Sequence, residues 1–352
     1  MSDYSNHSNH PSRFESENEE LDILPGADPL DILSSTRIVV EQGEHVWINA
    51  DQVEQFSDRW IQKDKEQSEA LPSAWDQRYH FFDGTEHTVN WILLLDGLNF
   101  CFWAEKNQPR WTIDYKGEVL NGYWAEAASL TRAVEEGLPL WDAEYLSTIS
   151  REAMAHIFRG SQTIPLFDER VAHAREIGRV LLERYDGQFT QAIAQTEGSA
   201  TKLALLIARN FSSFDDVTNY RTHTIRFFKR AQICVADLAL AFKGQQWGAL
   251  TGLEQLTAFA DYKLPQVLRF YNVLEYHSTL AERINNQEML EPGSEEEVEI
   301  RAATIWACEL LRQAMLKKGH VMTASEIDQR LWLAGQHASE MRPYHRTRTI
   351  YY

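Results

Sequence analysis

Residues 256–270, LTAFADYKLPQVLRF, decide how the chain is read. Leu256, Phe259 and Ala260 lead in at helical spacing, and Leu264, Val267, Leu268 and Phe270 lead out. Pro265 suits the first turn of a second helix, where a missing N–H costs nothing. The stretch therefore predicts helix, short turn, helix, with Asp261 and Tyr262 projecting from the turn. A carboxylate set amid apolar residues has a shifted pKa and a strengthened field. Asp is also a good helix cap, and on these residues alone the structural reading of Asp261 is the weightier one.

Composition sets the frame around that turn. The chain has 352 residues, 43% of them hydrophobic, enough for one large domain or two small ones. Its 11 Trp, 16 Phe and 13 Tyr predict a filled core with aromatic surface left over for stacking. With 52 acidic residues against 34 Lys and Arg, the net charge of -18 argues against duplex DNA or whole tRNA as a ligand. A small anion held by a local pair of cations remains compatible with it. Cys101, Cys234 and Cys308 lie far apart in apolar runs and read as reduced core residues, not as a disulfide frame or a metal site. No apolar run reaches membrane-spanning length, and the polar, Ser/Asn-rich start is unlike a signal peptide, so a cytoplasmic protein is expected.

Residues 1–20 are poor in apolar side chains and are expected to be disordered, with His7 and His10 too isolated to hold a metal. Short helices are expected from residue 22 to about 71, ended by Pro72. Residues 90–103, NWILLLDGLNFCFW, form a near-continuous apolar run that reads as β-rich, with Asp96-Gly97 as a turn signal. A hairpin is expected within residues 110–124, turning at Lys116-Gly117, and the two stretches together predict a small antiparallel sheet. Beyond Trp124 the pattern is helical: residues 125–136, a long helix after Pro165, residues 199–211 and residues 224–242. A last long helix starts at Ser294 with a capping-box arrangement and runs through Arg301, Ile305, Trp306 and Leu311. Phe227, Phe228 and Trp306 read as core. No internal repeat, Gly-rich phosphate loop or Cys/His metal spacing is present in the sequence, and neither metal nor organic cofactor is expected.

Several of these stretches together resemble one family. NWILLLDGLNFCFW, the hairpin ending NGYW, FFKRAQICVADL, FADYKLPQVL, EVEIRAATIW and the terminal HRTRTIYY follow the order and spacing of the queuosine salvage proteins, the queuosine 5′-phosphate N-glycosylase/hydrolases. The resemblance covers the chain from about residue 75 to 352. It implies a mainly α fold, a single helical domain over residues 21–352 resembling helix-hairpin-helix DNA glycosylases, with a small antiparallel β element. It also implies hydrolysis of the N-glycosidic bond of a free small-molecule substrate, queuosine 5′-monophosphate, to release queuine. The family's catalytic acid falls on Asp261, and its base contacts fall on Phe259 and His80. Near the C-terminus the family pattern has Asp-Tyr and a further Asp about a turn later. This chain has Asp328 followed by Gln329, and Leu333 where the second Asp would stand.

The chemistry of that reaction suggests further assignments. Cleaving an N-glycosidic bond builds positive charge on the ribose, which a carboxylate at Asp261 would stabilise or attack. A 7-deazapurine has no N7 to protonate, so help for the leaving base must reach another edge, with His80 and Asp328 as candidates. Asp328 would also suit the cationic aminomethyl group of queuine. Phe259 or Tyr262 would stack on the base. Lys229 is the expected cation for the 5′-phosphate, with Arg230 pairing elsewhere, for instance to Asp237; both reading as surface charges is the bland alternative. Glu297, Glu299 and Arg301 form either a supporting ion network or a solvated helix face. A glycosylase that flips a base from a polymer conflicts with the acidity of the chain. A non-catalytic queuine-binding accessory of tRNA modification is the alternative from another class.

Overall fold

The computed structural model describes residues 28–66, 75–336 and 340–352. The polar tail with His7 and His10, and Pro72, lie outside the described residues. The order of elements is α1 (Ile32–Gln42), β1 (Val46–Ile48), α2 (Ala50–Glu66), α3 (Glu86–Leu98), β2 (Thr112–Tyr115), β3 (Glu118–Asn121) and α4 (Gly122–Glu135). It continues through α5 (Ala143–Ser147), α6 (Arg151–Ile157), α7 (Phe167–Tyr185), α8 (Phe189–Gln195), α9 (Ala200–Asn210), β4 (Val217–Tyr220), β5 (His223–Arg226) and α10 (Lys229–Ala241). Last come α11 (Lys263–Phe270), β6 (Leu274–Tyr276), α12 (Ser278–Asn285), α13 (Glu295–Lys317) and α14 (Ala324–Gln336). The architecture is mainly α, with three two-stranded antiparallel sheets: β1 with β6, β2 with β3, and β4 with β5. Among the described residues no helix is long and apolar enough to cross a membrane.

Two helices anchor the core. α13 packs against α1, α2, α11 and α14, and α3 packs against α7, α8 and α10. Ser294 caps α13 by accepting the N–H of Glu297 at 3.4 Å, as its spacing predicts. Phe227, Phe228, Trp306 and the three cysteines are buried.

The run of residues 90–103 is not β-rich. Its first part belongs to α3, whose residues from Thr88 to Leu98 are all buried. A helix covered on every face needs no polar stripe, so its sequence has no helical period to read. Gly97 is not a turn residue either: it sits inside α3, where a methyl group would overlap Ile177 Cδ1 on α7. The hairpin of β2 and β3 forms at Lys116-Gly117 as expected.

The helix expected over residues 224–242 begins only at Lys229, because residues 223–226 pair with β4 and Phe228 takes a left-handed φ of 46° between strand and helix.

The deciding stretch is half as expected. α11 starts after the turn, but residues 256–260 are irregular rather than helical. They are buried, so their backbone groups need partners. Gln232 on α10 accepts the N–H of Thr257 at 2.9 Å, and Asp328 on α14 accepts that of Phe259 at 2.7 Å. Arg301 on α13 donates to the carbonyl of Ala260 at 3.3 Å. Three helices thus hold an irregular segment in place with side-chain hydrogen bonds.

Candidate active site at the Asp261 turn

The Asp261 turn opens on a cavity of about 1060 Å³. Asp261 Oδ1 accepts the N–H groups of Lys263 at 2.7 Å and Leu264 at 2.8 Å, capping α11. Oδ2 has no hydrogen-bond partner among the described residues. The carboxylate that caps α11 therefore also faces the cavity. Burial pushes its pKa above the usual range, against the pull of the Lys229 ammonium and the two N–H groups.

Lys229 is the first residue of α10 and lines the same cavity. Its ammonium points towards the carbonyl of Asn99 at 3.4 Å. Burial lowers its pKa, while Asp261, Asp96 and Asp328 oppose that shift. Its charge is thus set among carboxylates. Arg230, on the next position of the helix, turns away into the core and donates to the carbonyls of Gly97 and Ser213. It does not pair with Asp237. That carboxylate instead lines the cavity two turns along α10 from Lys229.

The sequence reading gave Asp237 only as an ion-pair partner for Arg230 and gave Tyr123 no role. Tyr123 Oη lies 3.3 Å from Asp237 Oδ2 and 2.8 Å from His80 Nε2. His80 Nδ1 lies 2.8 Å from the carbonyl oxygen of Asp76. Burial lowers the imidazole pKa to about 4, so His80 is neutral. Burial pushes the Asp237 carboxyl up, with Tyr123 and Lys229 pulling it back. Asp96, buried in α3, is pushed well up by burial and by the neighbouring Asp237 charge. A usable signal was present: Lys229 and Asp237 share a helix face, and Tyr123 belongs to the NGYW stretch.

Of the residues singled out from sequence, Asp261, Phe259, Tyr262, Lys229 and Asp328 all line this cavity. His80 is buried behind Tyr123 and stacked on Trp75 at 4.3 Å, one hydrogen bond removed from the wall. Burial and the Asp261 charge push the Asp328 carboxyl well above its usual range. Gln329 and Leu333 line the cavity beside it.

Glu297 and Arg301 are buried, not a solvated face. Arg301 grips Asp216 at 2.9 and 2.6 Å, and Glu297 accepts the hydroxyl of Tyr352 at 2.8 Å. Tyr352 reaches the cavity wall, and its carbonyl accepts the N–H of Cys101 at 2.9 Å, so the C-terminus is sewn into the site. His345 supports it from behind, with Nε2 3.2 Å from the Tyr352 hydroxyl. Glu299 instead closes α13 onto β1: its Oε2 accepts the N–H groups of Glu44, His45 and Val46 at 3.1, 2.6 and 3.1 Å.

The arrangement provides a part-held carboxylate, a buried cation, an aromatic wall and a second carboxyl on a hydrogen-bonded chain. Comparison with known proteins places the chain in a family. The family model described as queuosine salvage protein matches residues 79–352. A Sphaerobacter thermophilus protein named queuosine 5′-phosphate N-glycosylase/hydrolase is 49% identical over 329 residues, 93% of this chain and 99% of its own. Proteins of the same name from Bos taurus and Schizosaccharomyces pombe are 38% and 32% identical, over 76% and 70% of this chain and 82% and 74% of theirs. This chain belongs to the queuosine salvage protein family.

Proposed function

We propose that the chain hydrolyses the N-glycosidic bond of queuosine 5′-monophosphate and releases queuine, which salvage returns to tRNA. The observation that carries this reading is the Asp261 carboxylate. One of its oxygens is fixed by two backbone N–H groups and the other is left to a cavity with aromatic walls.

In the reaction the bond between C1′ and the base nitrogen breaks, and its electron pair leaves with the base. Positive charge then develops on the ribose, where a carboxylate fixed in advance stabilises it without reorganising. Water supplies the oxygen to C1′. Its proton passes to a carboxylate or to solvent, while the base takes up a proton of its own. Lys229 favours the anionic form of Asp261 against the effect of burial as the charge develops. Phe259 and Tyr262 offer flat faces to the base, and Asp328 suits the cationic aminomethyl group.

The missing N7 leaves the other base edges for proton donation. Asp237, whose carboxyl burial pushes up to about 7 and which is joined to Tyr123, is suited to donate there. His80 acts on the base through Tyr123 in this arrangement. We further propose that residues 21–352 work as one catalytic unit in the cytoplasm. With a net charge of -18 over its 352 residues, the chain acts on the free nucleotide and not on a nucleic acid polymer.

Incubating the protein with queuosine 5′-monophosphate and separating the products by chromatography tests the reading. Equal amounts of queuine and ribose 5-phosphate are expected. Tight binding of intact substrate with no products would favour the queuine-binding accessory instead.

A further inference from the structure

Among the described residues four arginines are buried: Arg170, Arg230, Arg269 and Arg301. Three of them have acceptors for their terminal nitrogens. Arg170 and Arg230 donate to main-chain carbonyls of the core, and Arg301 grips Asp216. Arg269, in the last turn of α11 and 7% exposed, is the exception. Neither its Nη1 nor its Nη2 has a hydrogen-bond partner among the described residues. Tyr276 of β6 lies against the guanidinium, its ring centre 4.8 Å from Cζ. Glu275, the acid beside Tyr276, alternates to the other face of the strand and accepts from Asn49 Nδ2 at 2.6 Å. Burial lowers the Arg269 pKa; Tyr276 opposes that shift, and the nearby Arg342 charge adds to it. A guanidinium stays protonated through such a shift, so a buried positive charge stands here with a second one beside it.

Leaving a charged donor buried and unpaired is costly, and the C-terminal dipole of an eight-residue helix offsets only part of that cost. Arg342 is exposed, and its side chain makes no hydrogen bond or ion pair among the described residues. Its carbonyl is tied to the same helix, one turn before Arg269, by Gln266 Nε2 at 2.7 Å. The other polar atom of that amide, Gln266 Oε1, is buried and also lacks a partner. Residues 266 and 269 share a helix face. Two guanidiniums and one bare acceptor thus come together where α11 meets β6 and the segment after α14. None of Gln266, Arg269, Tyr276 and Arg342 lines the substrate cavity.

We propose that this face of α11 binds inorganic phosphate, held by Arg269 and Arg342. Hydrogenphosphate brings two charges for the two guanidiniums, and its O–H can donate to Gln266 Oε1. Arg269 is closed off from solvent, so the exposed Arg342 side chain swings aside to admit the ion and then covers it. The ion acts on the fold around the site and not on the substrate. α11 begins at the Asp261 cap, and Tyr344, two residues beyond Arg342, packs on Tyr262 with centroids 4.8 Å apart. A bound phosphate braces the helix and the segment that flank the Asp261 turn. The proposal stands independently of the hydrolase reading.

The test titrates phosphate and sulfate by calorimetry into wild type, Arg269→Met and Arg342→Ala, and records unfolding midpoints with and without phosphate. Wild type should bind one phosphate more per chain than Arg269→Met. Arg342→Ala should bind that phosphate on the order of 10-fold more weakly. Arg342 is exposed, so its variant keeps the test decisive if Arg269→Met does not fold. Sulfate has the same charge without the O–H and should bind wild type on the order of 10-fold more weakly than phosphate. Without phosphate, Arg269→Met should unfold at a higher midpoint than wild type, because an apolar chain replaces an unpaired buried charge. Phosphate should raise the wild-type midpoint more than that of Arg269→Met. Equal phosphate binding by all three proteins, or none by wild type, would overturn the proposal. So would an Arg269→Met protein that is less stable than wild type without phosphate. Sulfate binding as tight as phosphate would overturn the contact to Gln266.

Discussion

The carboxylate of Asp328 accepts the backbone N–H of Phe259 at 2.7 Å, tying α14 to the irregular segment that carries the site. Phe259 is thereby set two residues before Asp261 in a fixed orientation. Asp328→Ala removes the only side-chain acceptor of that N–H among the described residues, while Asp328→Asn keeps an amide oxygen there. Leaving a buried donor unpaired costs about 1–3 kcal/mol, so the Ala variant should lose that much in chemical denaturation. It should also raise KM on the order of 10-fold through loss of base positioning. The Asn variant should lose less on the stability measurement.

Tyr123 links Asp237 in the cavity wall to His80 behind it. Tyr123→Phe cuts both bonds and leaves the ring packing in place. The plateau of kcat should fall on the order of 10-fold. The sign of the pH effect follows from the direction in which Tyr123 acts on Asp237. Its hydroxyl lowers the Asp237 pKa against burial, so without it Asp237 keeps its proton to higher pH. The alkaline limb of the kcat profile should therefore move up. A profile that keeps its shape and height would remove Asp237 from the chemistry.

Glu126 and Arg170 form a fully buried pair, 3.1 Å apart, beneath the site. Arg170 also donates to the carbonyls of Leu98 and Phe100, which share its charge. Burial outweighs the attraction of Arg170 and pushes the Glu126 carboxyl up to about 8. A carboxyl raised in the folded state stabilises most below its unfolded pKa, and that contribution is lost as pH rises through the folded value. Stability should therefore fall between roughly pH 4.5 and pH 8, and Glu126→Gln should flatten the decline. Unfolding free energies measured across that window check the slope.

Gly97 allows α3 and α7 to approach closely. Gly97→Ala should cost about 1–3 kcal/mol by overpacking against Ile177, despite the higher helix propensity of Ala. Denaturant midpoints of the two proteins decide it.

Much of the site was legible because its key residues sit close together in sequence. Phe259, Asp261 and Tyr262 fall within one turn whose cap and following helix are encoded locally. What escaped the sequence depends on distant partners. Leu256, Phe259 and Ala260 match helical spacing, yet Gln232, Asp328 and Arg301 take up backbone groups of that segment and hold it out of a helix. α3 was misread because a helix buried on every side shows no period. Asp237 meets Tyr123 only after α4 and α10 are brought together, which no spacing within either stretch reveals.

The central claim is that Asp261 serves at once as helix cap and catalytic carboxylate, and Asp261→Asn separates the two. The Asn oxygen can still accept from Lys263 and Leu264, so the fold and the cap should survive. The charge that stabilises the ribose cation is gone, and release of queuine from queuosine 5′-monophosphate should drop by about 10³-fold or more. Chromatographic release by wild type and Asp261→Asn, side by side and with unfolding midpoints matched, is the most direct measurement. Wild-type release with near-complete loss in the variant is the predicted result. Undiminished release by a folded Asp261→Asn protein would contradict the account.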